Sequence, residues 1–276
     1  GIRDVERSRG LGDVYKRQEE FLDVCEKLKA AGITPIALGT RPKWTEAHLF
    51  EVILASIAGP DYYKAFFRGE AKADDPRMRA ALEFLKTLVE NEYIYPYHGT
   101  LTWDQACQLL IDEKAAMNIM GDWALGYFKV KGWVPGVDLG AIEFPGTEGL
   151  FDFLSDSFAL PKGAPHKECA EKWLVFVATA EAQETFNKIK GSIAANKNVP
   201  PTAYEDPVME KCANDLLTKM IIPSAVHGAA TPEAFLSDFI DIINRFLYSP
   251  DVDRAIDELD RALIEDKVKE FFAGGE

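Results

Sequence analysis

The chain has 276 residues, of which 47% are hydrophobic and 28% are charged, a composition typical of a globular protein with one large or two small domains. Its formal net charge of −14 at pH 7 repels phosphate backbones, so nucleic acid is not expected as a partner, whereas a neutral ligand is compatible with it. No apolar run in the sequence approaches the roughly 18–20 residues that a membrane-spanning helix needs.

The first segment, Gly1–Gln18, is charged, aperiodic and low in apolar residues. Its last part, GLGDVYKRQ, resembles translated sequencing-adaptor read-through at the edge of a metagenomic gene fragment. We therefore expect 1–18 to be a non-native segment, the native chain to begin near Glu19, and an N-terminal part to be missing. On that expectation, the absence of a signal peptide says nothing about location.

Helices and short strands alternate along the first half of the chain. Phe21, Val24, Cys25 and Leu28 recur at helical spacing, and Gly32 closes this first helix. The pattern then predicts a strand at Ile33–Leu38, helices at His48–Ala58 and Leu82–Val89, a helix from a Thr102/Gln105 capping box to Asp112, a strand at Ala115–Met120, and a short helix at Asp122–Phe128.

The second half is richer in helices. The pattern predicts strands at Leu139–Phe144 and Ser157–Leu160, followed by helices at Lys167–Ala178, Glu181–Lys188, Pro207–Lys219, Pro232–Tyr248 and Val252–Phe272. Asp206 and Thr231 are N-cap candidates, each followed by a proline. The alternation of strands and helices predicts an α/β layered fold.

Signatures of catalysis and of metal or cofactor binding are mostly absent. The sequence contains no GxGxxG, Walker A, HExxH or GxSxG motif, and its four histidines make a multi-histidine metal site improbable, so no cofactor and no metal are expected. The four cysteines, Cys25, Cys107, Cys169 and Cys212, are widely spaced and form no CxxC pair. We expect packing roles for them, and a disulfide between distant pairs stays open.

Tryptophans at loop-to-helix junctions are the strongest candidates for a binding site. Trp103 starts a predicted helix, and Trp123 follows a buried strand, at the edge where α/β folds usually open their clefts. An indole face suits a pyranose, whose C–H groups meet the π face while its hydroxyls stay at the rim. Trp44 also lies in a loop and is a weaker candidate, and plain packing remains the alternative for each of the three.

Three polar residues in loops complete the candidate site. Asp156 precedes a predicted strand, Lys190 lies between a helix and a turn, and His227 precedes a helix. A carboxylate accepts hydrogen bonds from sugar hydroxyls and a lysine donates them. From composition alone, each residue is equally compatible with a solvated loop position.

Longer segments carry a family resemblance. Three of them, FPGTEGLFDFLSDSFALPKGA, FNKIKGSIAAN and IPSAVHGAATPEAF, closely resemble the glucose/galactose/mannose-type branch of extracellular solute-binding protein family 1, which includes maltose-binding proteins. The opening EEFLDVCEKLKAAGITPIALG and the turn Gly121-Asp-Trp-Ala also resemble family segments. The similarity runs from about Glu19 to Phe271.

The resemblance implies a sugar-binding component of an ABC importer. Its fold is the type II periplasmic-binding-protein fold of two α/β lobes, here incomplete, with 19–142 and the helical tail 196–276 in the C-terminal lobe and 143–195 returning to the N-terminal lobe. The sugar would lie in a cleft that closes about a hinge. Residues that match family sugar contacts are Trp103, Trp123, Asp156, Lys190 and His227. Trp44 lies in the segment Arg41–Glu46, which would add a further contact.

The resemblance also implies partners and location. The ligand would be a monosaccharide, the closed protein would dock on membrane permease subunits, and a periplasmic or extracellular monomer, with or without a lipid anchor, is expected. The alternative is a glycoside-processing enzyme with Asp156 as one of its two carboxylates and Asp122 or Asp152 as weak candidates for the second. A docking protein without a ligand is a third alternative.

Overall fold

The computed structural model describes residues 17–274 of the chain. Most of the segment that we expected to be non-native, 1–16, lies outside the described residues. Arg17 and Gln18 are already helical, with Gln18 buried and Arg17 paired with Glu148, so the first helix includes the two residues before the predicted start at Glu19.

The described chain forms two compact units. One comprises the chain up to Met120, Glu143–Phe153, and the part from Ile221 onwards; the other comprises Gly121–Ile142 and Leu154–Met220. We call them the first and second unit. The assignment of 19–142, 143–195 and 196–276 to lobes stays a prediction.

The first unit contains a small parallel sheet among helices. Its elements are α1 (17–30), β1 (Thr34–Ala37), α2 (Trp44–Phe67), α3 (Pro76–Glu90), α4 (Trp103–Ile111), β2 (Ala115–Asn118), β3 (Leu150–Phe153), β4 (Met220–Pro223, whose first residue belongs to the second unit), α9 (Glu233–Tyr248), α10 (Val252–Glu265) and α11 (Val268–Ala273). β1 pairs with β2 in parallel, with Ile36 opposite Met117, and β3 pairs with β4.

The core of the first unit lies around α2 and α9. α2 is buried on almost every side, as expected of a helix that is apolar all round. It is longer than the predicted His48–Ala58, because the chain resumes a helix at Pro60 after Gly59 leaves helical geometry at φ 76°. The apolar stripe of α9 packs on it, and the ring centroids of Phe67 and Phe239 are 5.2 Å apart.

The second unit is built from helices. Its elements are α5 (Ala124–Val130), α6 (Lys167–Val177), α7 (Ala180–Lys190) and α8 (Pro207–Thr218). Its core includes Leu125, Tyr204 and Met209. The predicted N-cap Asp206 is confirmed, since its carboxylate accepts hydrogen bonds from Val208 N and Met209 N.

Several predicted elements are wrong. Leu139–Phe144 and Ser157–Leu160 are not strands, and both apolar runs expose large side chains: Ile142 is 87% and Phe158 61% exposed. The strand near them is β3, which the pattern did not indicate. The predicted helix Val252–Phe272 breaks at Lys267, whose φ is 51°, and the N-cap of α9 is Pro232 rather than Thr231.

Two further observations concern thiols and membrane segments. All four cysteines are free thiols, and Cys25 and Cys107 are fully buried, in line with packing roles. Within residues 17–274, no helix combines the length and the apolar character needed to cross a membrane.

Candidate functional site

In the first unit, Gly39 anchors the starts of two helices. Its carbonyl oxygen accepts a 2.6 Å hydrogen bond from the Thr45 hydroxyl. A Cβ added at Gly39 would come within 2.2 Å of the Thr102 carbonyl oxygen, so only glycine allows this approach. Trp44 and Trp103, the first residues of α2 and α4, are therefore both fixed to the loop that follows β1.

Trp44 is part of a cluster of three aromatic rings in the first unit. The ring centroids of Trp44 and His227 are 5.4 Å apart, with the planes at 65°. His48, one turn further along α2, lies 6.2 Å from Trp44 and 5.3 Å from His227 between centroids, also edge to face. The structure thus brings together two of the predicted site residues, Trp44 and His227, with an unpredicted histidine between them.

A buried carboxylate lies beneath this ring cluster. Glu51 Oε2 accepts hydrogen bonds from the backbone N–H groups of Ala225 (2.9 Å) and Val226 (3.1 Å). Glu51 Oε1 lies 2.9 Å from the hydroxyl oxygen of Ser224, and the same hydroxyl oxygen lies 2.9 Å from Nδ1 of His227. The segment that carries His227 is therefore anchored to α2 through Glu51, and Tyr63 of the same helix also contacts this segment, at Pro223 O and Ala225 N.

The ionisation of Glu51 follows from its partners. Burial acts to raise the pKa of Glu51, but hydrogen bonds from His48, Val226 and Ser224 and the charge interaction with His48 outweigh it, so the pKa is lowered. Burial, the charge of Glu51 and a hydrogen bond with it raise the pKa of Asp152 well above its usual range. Asp152 is therefore the protonated and Glu51 the ionised member of this carboxyl pair.

The same cluster is the group within the described residues whose side chains could hold a metal ion. Ligand atoms of His48, Glu51 and His227 all lie within 4.8 Å of one another. Both oxygens of Glu51, however, already accept hydrogen bonds from backbone and side-chain donors. The arrangement therefore fits a hydrogen-bonded network better than a metal centre.

In the second unit, the indole of Trp123 packs over Gly121. A Cβ added at Gly121 would come within 1.9 Å of the Trp123 ring. Trp123 lies at the N-terminal end of α5 and is half-buried. The Gly-Asp-Trp turn thus sets the position of the ring by the close approach that its glycine allows.

Backbone contacts tie this turn to the end of α7. A Cβ added at Gly126 would come within 2.2 Å of the Lys190 carbonyl oxygen, and one added at Gly191 within 2.4 Å of Gly126 N. Asp122 accepts a 3.1 Å hydrogen bond from Ile193 N, which partly offsets the rise in the pKa of Asp122 that burial causes. Two glycines and one carboxylate therefore fix the segment of Lys190 against the turn of Trp123.

Lys190 and Asp156 form an ion pair in the second unit. Lys190 Nζ lies 2.6 Å from Asp156 Oδ2, with the Asp156 side chain 71% exposed. An exposed carboxylate beside an ammonium group presents a hydrogen-bond acceptor and a donor side by side. This pair brings together two residues that are 34 positions apart in the sequence.

Sequence reasoning missed the residues behind His227. Glu51, His48 and Ser224 were not predicted, although His48 and Glu51 are polar residues spaced i, i+3 among apolar neighbours in α2, a spacing that places their side chains on one face of the helix. Asp152 was named only as a weak catalytic candidate.

The chain is similar to known proteins along most of its length. The model of the family described as "Bacterial extracellular solute-binding protein" matches residues 12–184, and this match begins within the segment that we expected to be non-native. An uncharacterised ABC transporter extracellular-binding protein of Pyrococcus horikoshii is 46% identical over 93% of this chain and 58% of its own length. A probable sugar-binding periplasmic protein of Mesorhizobium japonicum is 30% identical over 93% of this chain and 63% of its own.

Solved structures with the same fold are more distant in sequence. The bacterial solute receptor AcbH, described as having an exclusive preference for β-D-galactopyranose, has a TM-score of 0.69 at 21% identity, covering 90% of this chain and 64% of its own. A chitin oligosaccharide binding protein has a TM-score of 0.75 at 19% identity, covering 92% and 64%. The chain thus spans about three fifths of the length of these proteins.

Proposed function

Because the chain belongs to the bacterial extracellular solute-binding protein family, we propose that it serves as the sugar-binding component of an ABC importer. The names of its relatives, an ABC transporter extracellular-binding protein and a probable sugar-binding periplasmic protein, indicate a binding protein rather than an enzyme. Delivery of the sugar to membrane permease subunits by a periplasmic or extracellular monomer, with or without a lipid anchor, is part of the same proposal.

The observation that carries the proposal is the Asp156–Lys190 pair. Its charged groups are accessible, and α7, which ends at Lys190, is held against the turn of Trp123 by the Gly126–Gly191 contact. A sugar ring presents C–H groups, hydroxyl hydrogens and hydroxyl oxygens. The indole of Trp123 can pack against the C–H groups, the Asp156 carboxylate can accept hydrogen bonds from the hydroxyls, and the Lys190 ammonium group can donate hydrogen bonds to the hydroxyl oxygens.

Each unit carries one set of the proposed sugar contacts. The first unit supplies Trp44, Trp103 and His227, and the second supplies Trp123, Asp156 and Lys190. For Trp44 and His227 the support is their mutual packing; for Trp103 it is its fixed place beside Gly39.

A monosaccharide of the glucose, galactose or mannose type is the finer part of the proposal. The resemblance of the segments around Asp156, Lys190 and His227 to that branch of the family supports it. Proteins of similar fold are described as binding a galactopyranose in one case and a chitin oligosaccharide in another, so the length of the ligand is open to test.

The surroundings of the other acidic candidates argue for binding rather than glycoside cleavage. A glycosidase needs two carboxyl groups roughly 5–10 Å apart that flank the bond. Asp122 accepts a hydrogen bond from Ile193 N, and the protonated Asp152 is hydrogen-bonded to the ionised Glu51. Turnover of aryl-glycosides by the purified chain would favour the enzyme alternative.

Calorimetry tests the proposal directly. The chain is titrated with glucose, galactose and mannose, and with a chitin oligosaccharide as the longer ligand. Saturable heat with a monosaccharide is expected, and Trp123→Ala should weaken it by about 1–3 kcal/mol, the scale of a lost stacking surface. Trp173→Ala, which removes a half-exposed tryptophan of α6 in the same unit, is the matched control. Absence of heat with every sugar would contradict the proposal.

A further inference from the structure

Glu51 is a buried carboxylate that the sugar-contact proposal does not use. Its side chain is 1% exposed, and a carboxylate in that position is costly unless hydrogen-bond donors surround it. Three of the donors, on Ser224, Ala225 and Val226, belong to the segment that carries His227, which lies more than 170 positions further along the chain. Glu51 is therefore placed to affect the hydrogen bonding of His227.

Glu51 can only accept hydrogen bonds from its neighbours. Oε2 takes hydrogens from Ala225 N and from Val226 N. The Tyr63 hydroxyl lies 3.1 Å from Oε2 and 3.0 Å from the Pro223 carbonyl oxygen, and it has one hydrogen for these two acceptors. These donors, together with His48 Nδ1 at 3.0 Å from Oε1, favour the ionised form of the carboxylate, which carries no hydrogen of its own.

The single hydroxyl hydrogen of Ser224 determines the roles of its neighbours. The Ser224 hydroxyl has one hydrogen, and it is donated to Glu51 Oε1 at 2.9 Å. The hydroxyl oxygen must therefore accept at its other contacts. One is the backbone N–H of His227 at 3.3 Å, and the other is Nδ1 of the His227 ring at 2.9 Å. Nδ1 of His227 consequently carries a hydrogen.

We infer that Glu51, acting through Ser224, holds His227 as the Nδ1–H tautomer. In the neutral ring Nε2 is then the acceptor nitrogen, so a ligand group that meets His227 at Nε2 must be a hydrogen-bond donor such as a sugar hydroxyl. The ligand part of this inference rests on the proposed function, whereas the tautomer does not. Glu51 and Ser224 are positioning residues, since they act on the ligand only through His227.

The tautomer has a consequence for specificity. A site that accepts a hydrogen bond from a ligand hydroxyl discriminates against a ligand that lacks this hydroxyl, because that ligand displaces water from the acceptor without replacing its hydrogen bond. A deoxy or deoxyfluoro sugar altered at the hydroxyl that meets His227 should therefore bind more weakly than the parent sugar. Any change of affinity caused by altering another hydroxyl should not depend on His227.

Nitrogen-15 NMR tests the tautomer without any ligand. The chain is labelled at histidine and studied at about pH 8, where an ordinary imidazole is neutral. Long-range proton–nitrogen correlations distinguish a protonated Nδ1 from a protonated Nε2, and His227→Gln assigns the signals. We expect His227 with its hydrogen on Nδ1. A hydrogen on Nε2 would overturn the inference.

Two variants test the route through Ser224. Ser224→Ala removes the acceptor of the Nδ1 hydrogen, so His227 should become a mixture of tautomers, and sugar affinity should fall by about ten- to a hundredfold. Tyr63→Phe removes a different hydroxyl group that neighbours Glu51, leaves Ser224 in place, and should keep the Nδ1–H form. A Ser224→Ala variant that melts like the parent and keeps the parent tautomer would overturn the role of Ser224.

The outcomes separate this inference from the proposed function. If the parent chain binds no sugar, the proposed function and the ligand part fail, while the NMR spectrum still decides the tautomer. If the chain binds sugar, the ligand part predicts that one deoxy or deoxyfluoro sugar binds more weakly than the parent sugar and that Ser224→Ala does not weaken the binding of this sugar further. If no modified sugar behaves in this way, the ligand part fails and the proposed function stands.

Discussion

The indole of Trp123 lies over the Cα of Gly121, so closely that a Cβ at Gly121 would come within 1.9 Å of the ring. The position of one proposed sugar contact therefore depends on a residue that has no side chain. This dependence can be tested without altering any group that would touch a sugar.

Gly121→Ala should displace the Trp123 ring and weaken sugar binding by about 1–2 kcal/mol, since an added methyl group in a tight contact forces the neighbour to move. Calorimetry measures the affinity. Gly163→Ala is the matched control in the same unit, because a Cβ there would meet no atom within 4 Å. Equal affinities for the two variants would contradict the dependence.

The Asp156–Lys190 pair should matter for the ligand and little for the fold. Asp156→Asn keeps the shape but loses the charge, and should weaken sugar binding by about 1–2 kcal/mol if the carboxylate bonds a hydroxyl. The melting temperature should hardly change, because exposed pairs contribute about 0–1 kcal/mol.

Glu168→Gln supplies the comparison for that pair. Glu168 and Lys172 form another exposed ion pair of the second unit, at 2.9 Å, and its loss should change neither property. A large drop in the melting temperature of Asp156→Asn would instead indicate a structural role.

The helices were the predictable part of the fold. The apolar stripe of α9, including Phe235 and Phe246, was visible as a 3.6-residue period and is buried as expected. The family and the α/β solute-binding-protein fold class are confirmed by the family match and the solved structures. Short apolar runs were ambiguous: the run at 139–144 has the composition of a strand, yet Ile142 is exposed.

The candidate site was predictable only residue by residue. Asp156, Lys190 and His227 were indicated by the segments around them, but the ion pair joins a loop residue to the last residue of α7, and no local period encodes it. Glu51 could not be linked to Ser224, because contacts over such a separation depend on how α2 and the segment after β4 pack.

Buried Glu46 should give the folded chain a distinctive pH dependence. Burial raises the pKa of Glu46 from 4.5 to about 7, although a hydrogen bond from Asn244 opposes the rise. Between about pH 4.5 and 7 the folded state holds a proton that the unfolded state has lost, so stability should fall as pH rises through this range, by ~3 kcal/mol. Above about pH 7 this contribution is flat.

Glu46→Gln removes the titrating group. Denaturant unfolding from about pH 5 to 8 should show a shallower loss of stability for Glu46→Gln than for the parent chain. Glu83→Gln, an exposed change on α3, is the control and should keep the parent slope. If the Glu46→Gln and parent slopes agree, Glu46 is not protonated in the folded state.

The cysteines predict how the folded chain reacts with thiol reagents. Burial raises the pKa of the Cys25, Cys107 and Cys212 thiols to about 12, which keeps them protonated, whereas Cys169 of α6 is exposed. Because the thiolate is the reactive form, one thiol should react fast with a disulfide reagent at about pH 8 and three should react only on unfolding. Cys169→Ser should abolish the fast phase and Cys212→Ser should leave it. A fast phase that survives Cys169→Ser would show that a buried thiol opens readily in the native protein.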